Sequence, residues 1–201
     1  MTVIVDYGVG NLFSLQSSFK AIGEEAFVSD DAAELMKADR LVLPGVGAFE
    51  DAANKLRASV LDSFVRQQAA AGKPLMGICL GMQLLFDRSF EYGEHEGLGL
   101  VPGQVVDLHD ELEDKTLKVP HMGWNQITDL RTPLFRDIAE GAYIYYVHSY
   151  YPELCADTIA TSHYINPFSG ALGRDNFFGT QFHPEKSGAV GAQILKNFLE
   201  L

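Results

Sequence analysis

A cysteine between two glycines, in Gly77-Ile78-Cys79-Leu80-Gly81, is the strongest chemical signal in the chain. A G-x-C-x-G pentapeptide between an apolar run and a helical stretch has the form of a nucleophile elbow, usually met with serine. The glycines relieve the steric conflict of a sharp strand-to-helix turn. Such a turn would present Cys79 at a helix N-terminus, where the dipole favours thiolate over thiol. The competing reading is a buried cysteine packed as a small hydrophobe. Two glycines at this spacing after a predicted strand favour the elbow.

A cysteine nucleophile needs a base and a group to orient that base. Gln181-Phe182-His183-Pro184-Glu185-Lys186-Ser187 supplies both types. Glu185, two residues from His183 across a stiff proline, could hold the imidazole in one tautomer and stabilise its cation. Alone, the pair would read as a loop histidine beside a helix-capping glutamate. A third segment, Leu43-Pro44-Gly45-Val46-Gly47, closes a predicted strand. The backbone N–H groups of Val46 and Leu80 could form an oxyanion hole, although Pro-Gly by itself specifies only a tight turn.

Elements must exist to bring these segments together. Apolar runs at Val3–Val5, Arg40–Leu43 and Pro74–Ile78 alternate with helical patterns over Asn11–Ile22, Phe49–Ala71 (bent or broken near Ser59) and Leu80–Phe86. That alternation predicts βαβ units and a parallel sheet buried on both faces. From Gly97 to Tyr151 the runs are shorter. Strands are expected at Gln104–Val106, Tyr143–Val147, Thr158–Ser162 and Phe177–Gln181, with antiparallel pieces among them. A helix is expected over Ser187–Leu201, and the charged segment Asp107–Lys118 reads as a solvated hairpin or loop. No linker or repeat interrupts the chain. The expectation is an α/β fold, one domain over residues 1–201, with a central, mostly parallel but mixed sheet flanked by helices.

Composition narrows the function. Within 201 residues, 47% are hydrophobic and 21% charged, which excludes disordered and low-complexity classes. Fifteen basic against 27 acidic residues give a net charge of −12, unsuited to neutralising phosphates or docking on an anionic membrane. Two cysteines, Cys79 and Cys155, fit a reducing, cytoplasmic compartment better than a disulfide framework. The opening MTVIVDYGVG lacks a basic n-region, so no signal peptide is expected, and no apolar stretch reaches bilayer length. Cys155 has no elbow and reads as incidental. His95, His109 and His163 lack partners at metal-ligand spacing.

Together GICLGMQ, FHPEKS and LPGVG resemble the class I, or triad, glutamine amidotransferases. DYGVGNLFSL, VLPGVGAF, PHMGWN at 120–125 and YVHSY at 146–150 extend the resemblance over nearly the whole chain. They point to members in which the glutaminase is a separate chain serving histidine biosynthesis. The resemblance implies that Cys79 attacks the side-chain amide of glutamine, with His183 and Glu185 completing a triad. It implies that Val46 and Leu80 hold the oxyanion, and that Gln83 and the backbone around Gly47, Ser149 and Tyr150 hold the amino-acid end. Gln83 sits one helical turn beyond Cys79, so it can face the same pocket; without the resemblance a surface glutamine remains plausible. The implied partner is a cyclase/synthase subunit with a (β/α)8 barrel, forming a heterodimer that receives the ammonia. Trp124 and Tyr145 would lie near that interface, with a core role competing evenly. No metal or organic cofactor is implied. Two rivals stay open: the glutaminase subunit of another amidotransferase such as anthranilate synthase, whose glycine loop typically reads Pro-Gly-Pro-Gly, and a non-catalytic reactive-cysteine protein on a similar fold.

Overall fold

The structure of the protein is a computed structural model that describes residues 1–111 and 117–201. In chain order the elements are β1 (Thr2–Val5), α1 (Leu12–Ala21), β2 (Ala26–Ser29), α2 (Ala32–Lys37), β3 (Arg40–Leu43), α3 (Phe49–Ala58) and α4 (Leu61–Ala70). There follow β4 (Leu75–Ile78), α5 (Leu80–Gln83), β5 (Phe86–Ser89), β6 (His95–Glu96), β7 (Val101–Asp107), β8 (His121–Ile127) and β9 (Ala142–His148). The last are β10 (Tyr150–Pro152), β11 (Thr158–His163), β12 (Pro167–Arg174), β13 (Phe177–Thr180) and α6 (Gly188–Leu199).

Seven strands form the main sheet in the order β11-β12-β13-β4-β3-β1-β2. From β2 to β13 the neighbours run parallel, and β12 and β11 add an antiparallel edge. This is the mixed, mostly parallel sheet that the apolar runs predict. Every residue of β1 and β4 is buried, as a strand covered on both faces requires. Leu35, Phe49, Leu56 and Phe64, from α2, α3 and α4, pack on one face. Leu15 and Phe19 of α1 and Ile194, Leu195 and Phe198 of α6 pack on the other. Beside it stand a four-stranded sheet, β10-β7-β5-β6, and the antiparallel hairpin β8–β9.

Three local expectations change in the fold. The predicted helix over 49–71 is two helices, because Val60 takes a left-handed conformation at φ 62° between them. The predicted helix over Leu80–Phe86 stops after one turn. Leu98 and Val101 donate to the carbonyls of Leu84 and Leu85, and Gly99 to that of Phe86, so the chain enters β5 instead. Tertiary partners take the acceptors that a longer helix would need. The segment expected to be a solvated hairpin or loop begins as a 3-10 turn over Leu108–Glu111 in which Leu108 is buried; residues 112–116 lie outside the described residues.

Two glycines separate packing from backbone effects. A Cβ on Gly81 would lie 1.9 Å from the Leu43 carbonyl oxygen, whereas Gly23, at φ +88°, faces open space. Gly23→Ala is expected to lower stability by about 1 kcal/mol, the left-handed penalty alone. Gly81→Ala is expected to cost about 3 kcal/mol or more, because backbone must move. Urea unfolding of both variants checks the ordering, and equal losses would contradict it.

Candidate active site

Strands β3, β4 and β13 are adjacent and parallel, so their carboxyl ends deliver three loops to one edge of the sheet. Open α/β sheets place ligands at this edge. The glycine loop Pro44–Gly47 leaves β3, Cys79 leaves β4, and Gln181–His183 leaves β13. Gly45, Gly77 and Gly81 interlock there. A Cβ on Gly45 would stand 2.5 Å from the Gly81 nitrogen, and one on Gly77 would stand 2.6 Å from the Gly81 oxygen. The turn is thereby pressed onto the strands, and Cys79 is held at φ 54°, ψ −113°. Such a conformation costs about 1–3 kcal/mol for a residue other than glycine and persists only where packing over-determines it. The Cys79 N–H is anchored on the Thr180 carbonyl at 2.7 Å. A single helical turn sums few peptide dipoles, so the expected helix-dipole support for a Cys79 thiolate shrinks. The charge partner here is His183.

His183 Nδ1 lies 2.7 Å from Glu185 Oε1, with both side chains almost fully buried. The carboxylate accepts, so Nδ1 carries a proton and Nε2 is the nitrogen left free of Glu185. Nε2 has no hydrogen-bond partner among the described residues. Burial opposes the imidazolium, but a thiolate at Cys79 and the Glu185 carboxylate outweigh it and raise His183 from its ordinary value to about 10. Strand β9 fixes this loop from behind. The His183 N–H donates to the Tyr145 carbonyl at 3.0 Å, and Ser187 Oγ accepts from the Tyr145 N–H while donating to the His183 carbonyl.

A cavity of about 330 Å³ opens at this edge, large enough for a single amino acid. Val46, Gly47, Cys79, Leu80, Gln83, Ser149, Tyr150 and His183 all line it, and Glu185 stands behind His183. The N–H groups of Val46 and Leu80 take no backbone partner among the described residues. Gln83 is buried rather than superficial. Its amide donates to the Tyr150 carbonyl and to Gln181 Oε1, both at 2.9 Å, leaving its own oxygen as the free polar atom. Trp124 and Tyr145 lie outside the cavity and pair edge to face across β8–β9 with centroids 6.0 Å apart. Trp124 is 56% exposed, so it does not belong to the core. Cys155 is partly buried against the core and accepts from the Thr158 hydroxyl at 3.7 Å.

Sequence reasoning misses four residues. Gln181 is fully buried and bridges Gln83 to Cys79, with its Nε2 3.7 Å from the sulfur. Its place two residues before His183 was the only available signal. Glu91 lines the cavity as a buried carboxylate whose Oε2 accepts from the Phe49 N–H at 2.8 Å. In the linear run Phe90-Glu91-Tyr92-Gly93-Glu94 nothing distinguishes it from solvated neighbours. His121 and His148 form a buried pair with Nδ1 of the first 3.0 Å from Nε2 of the second. Burial lowers His121 to about 4, and burial together with the neighbouring His121 lowers His148 to about 3.

The sequence profile of the family described as Glutamine amidotransferase class-I matches residues 3–201. A chain from Syntrophotalea carbinolica named imidazole glycerol phosphate synthase subunit HisH is 49% identical, with 98% of each chain covered. One of the same name from Sulfurimonas denitrificans is 47% identical, covering 98% of this chain and 97% of the other. Among solved structures, a glutamine amidotransferase superposes with a TM-score of 0.75 at 17% identity, covering 98% and 97% of the two chains. PurLQS from Thermotoga maritima gives 0.72 at 19%, covering 99% and 97%. These two likenesses speak to the fold.

The buried histidines predict an acid-sensitive stability. Unfolded, each titrates near 6.5; folded, they titrate near 4 and 3. Between those values the unfolded chain binds the extra protons, so their contribution is complete above pH 6.5 and is lost as pH falls through 4 and then 3. His121 alone accounts for a loss on the order of 3 kcal/mol at pH 4. Urea midpoints from pH 7 to 4 should fall, and the slope should flatten in His121→Phe. A parent profile that stays level would contradict the burial argument.

Proposed function

Because the chain belongs to the class I glutamine amidotransferase family, we propose that it is the glutaminase subunit of an imidazole glycerol phosphate synthase. The observation that carries this reading is a single cavity, at the ends of three parallel strands, lined by a strained cysteine and by a histidine held on a buried carboxylate. The name shared by relatives at 47–49% identity over nearly the full chain supports the particular synthase.

In this reading Cys79 Sγ attacks the amide carbon of glutamine. The tetrahedral oxyanion is met by the N–H groups of Val46 and Leu80. His183 Nε2–H protonates the departing nitrogen, releasing ammonia and leaving a glutamyl thioester on Cys79. The now neutral His183 takes a proton from water, which attacks the thioester, expels the thiolate and yields glutamate. Glu185 keeps His183 in the tautomer that puts Nε2 to work. Gln83 and the backbone of Gly47, Ser149 and Tyr150 hold the amino-acid end. Glu91, whose carboxyl is pushed up by burial, supplies acceptor oxygens suited to the α-ammonium group.

Ammonia passes to a separate cyclase/synthase subunit with a (β/α)8 barrel. That subunit's products are imidazole glycerol phosphate and an aminoimidazole carboxamide ribotide, made in the cytoplasm for histidine biosynthesis. The partner would dock on the β8–β9 hairpin, where Met122, Trp124 and Tyr143 stand 63%, 56% and 57% exposed. Tyr145 lies in the same face, and its carbonyl accepts from the His183 N–H, so docking can be felt at the base.

Two experiments test these roles in the assembled complex. Cys79→Ala should abolish glutamine-dependent synthesis and leave ammonia-dependent synthesis intact; residual glutamine hydrolysis would remove Cys79 as nucleophile. His183→Ala should lower glutaminase kcat by about three orders of magnitude. Glu185→Gln should retain a measurable fraction, because it orients without transferring the proton. A Glu185→Gln enzyme as fast as the parent would take Glu185 out of the triad.

A further inference from the structure

The buried pair His121–His148 has no step in the chemistry above, yet its geometry ends at the substrate wall. His148 Nδ1 lies 2.9 Å from the Tyr150 carbonyl oxygen, and His148 Nε2 lies 3.0 Å from His121 Nδ1. At the outer end Asn125 Nδ2 lies 3.3 Å from His121 Nε2 and donates to the His163 carbonyl at 2.9 Å. A carbonyl only accepts, so His148 carries its proton on Nδ1 and accepts at Nε2. His121 must then donate from Nδ1 and accept from Asn125 at Nε2. Both rings are neutral, and each hydrogen bond points the same way, from Asn125 to the Tyr150 carbonyl. A second proton on either ring would set two N–H groups against each other or leave Asn125 without its acceptor.

The surroundings enforce this order. His121 stacks between Tyr164 and Tyr146, with centroids 4.0 and 4.8 Å away, and Phe168 meets both imidazoles edge-on. Among the described residues no carboxylate is bonded to either ring, and besides His121 the titrating group acting on His148 is His183, whose positive charge also favours neutrality. The Tyr150 carbonyl accepts from Gln83 as well, at 2.9 Å. Two donors on one oxygen fix the orientation of the Tyr150–Tyr151 peptide, directly after Ser149 and Tyr150, which line the cavity.

We propose that His121 and His148 are positioning residues for glutamine binding, acting through the Tyr150 carbonyl as a pair locked with the proton on Nδ1 of each ring. This rests on reading the cavity as a glutamine site. Depression of both histidines by burial keeps the pair in its one working proton order at neutral pH. Histidine free in water favours the Nε2–H tautomer, so the lock is visible without any substrate.

Imidazole 15N shifts of the labelled chain should show Nδ1 protonated and Nε2 bare on both rings at pH 7. In the complex with the synthase subunit, His121→Phe keeps the stacked ring but removes the donor. It should raise KM for glutamine about tenfold, the worth of about one hydrogen bond, with little change in kcat. His121→Asn, which restores a donor near Nδ1, should recover most of that loss. An Nε2–H tautomer on either ring overturns the proposal. So does a normal KM in folded His121→Phe, or an equal KM rise in both variants, which would mark a packing role. Should His121→Phe fail to fold, the tautomers of the parent chain decide. A parent complex that does not hydrolyse glutamine would defeat the functional reading instead, while the 15N pattern still judges the lock.

Discussion

The site depends on a contact between two pieces of backbone. The turn after β4 lies so close to the end of β3 that no side-chain atom fits between Gly81 and the Leu43 carbonyl. Gly45 and Gly77 extend the same contact on either side. Pressed this tightly, the chain can leave β4 only through a conformation that a cysteine resists, with Cys79 at φ 54°. The strain is confined to one residue because dense packing leaves the neighbours no room to share it. The same contact sets the glycine loop beside the cysteine, and the register of β13 on β4 brings His183 to the third corner. One packing constraint therefore brings Cys79, the glycine loop and His183 together.

Around that contact, burial treats three histidines in opposite ways. His183 is desolvated like the others, but it has a carboxylate at 2.7 Å and a sulfur that can carry charge, so its cation prevails. Among the described residues His121 and His148 have only neutral partners at bonding distance, a carbonyl, an amide and each other, so desolvation keeps them uncharged. The contrast follows from which groups share the buried space rather than from how deeply each ring is buried. It gives the protein one buried histidine held as a cation beside a pair held neutral.

The β8–β9 hairpin joins these two systems. One face carries the exposed Met122, Trp124 and Tyr143. Its backbone carries the acceptor for the His183 N–H, the donor to Ser187 and, through Val147, a carbonyl 3.9 Å from the Cys79 sulfur. A surface suited to a partner and the framework of the site are thus one element.

Much of this was legible in the linear chain. The apolar runs Val3–Val5, Leu41–Leu43 and Leu75–Ile78 point to a parallel sheet, because strands without a polar face must be covered on both sides. Gly77-Ile78-Cys79-Leu80-Gly81 identifies the elbow, since its glycines serve no purpose in an unstrained strand. His183 and Glu185 are close in sequence, so their pairing needs no long-range information. What the sequence could not decide is whatever depends on competition for partners across the fold. The helix after Cys79 ends at one turn because distant N–H groups at 98–101 claim the carbonyls of Leu84–Phe86 that a longer helix would use. Gln181, Glu91 and the His121–His148 pair acquire their roles from neighbours between 27 and 102 residues away. Local pattern encodes which face is buried; it does not encode which polar groups meet inside, and in a desolvated site that meeting alone sets charge, tautomer and orientation.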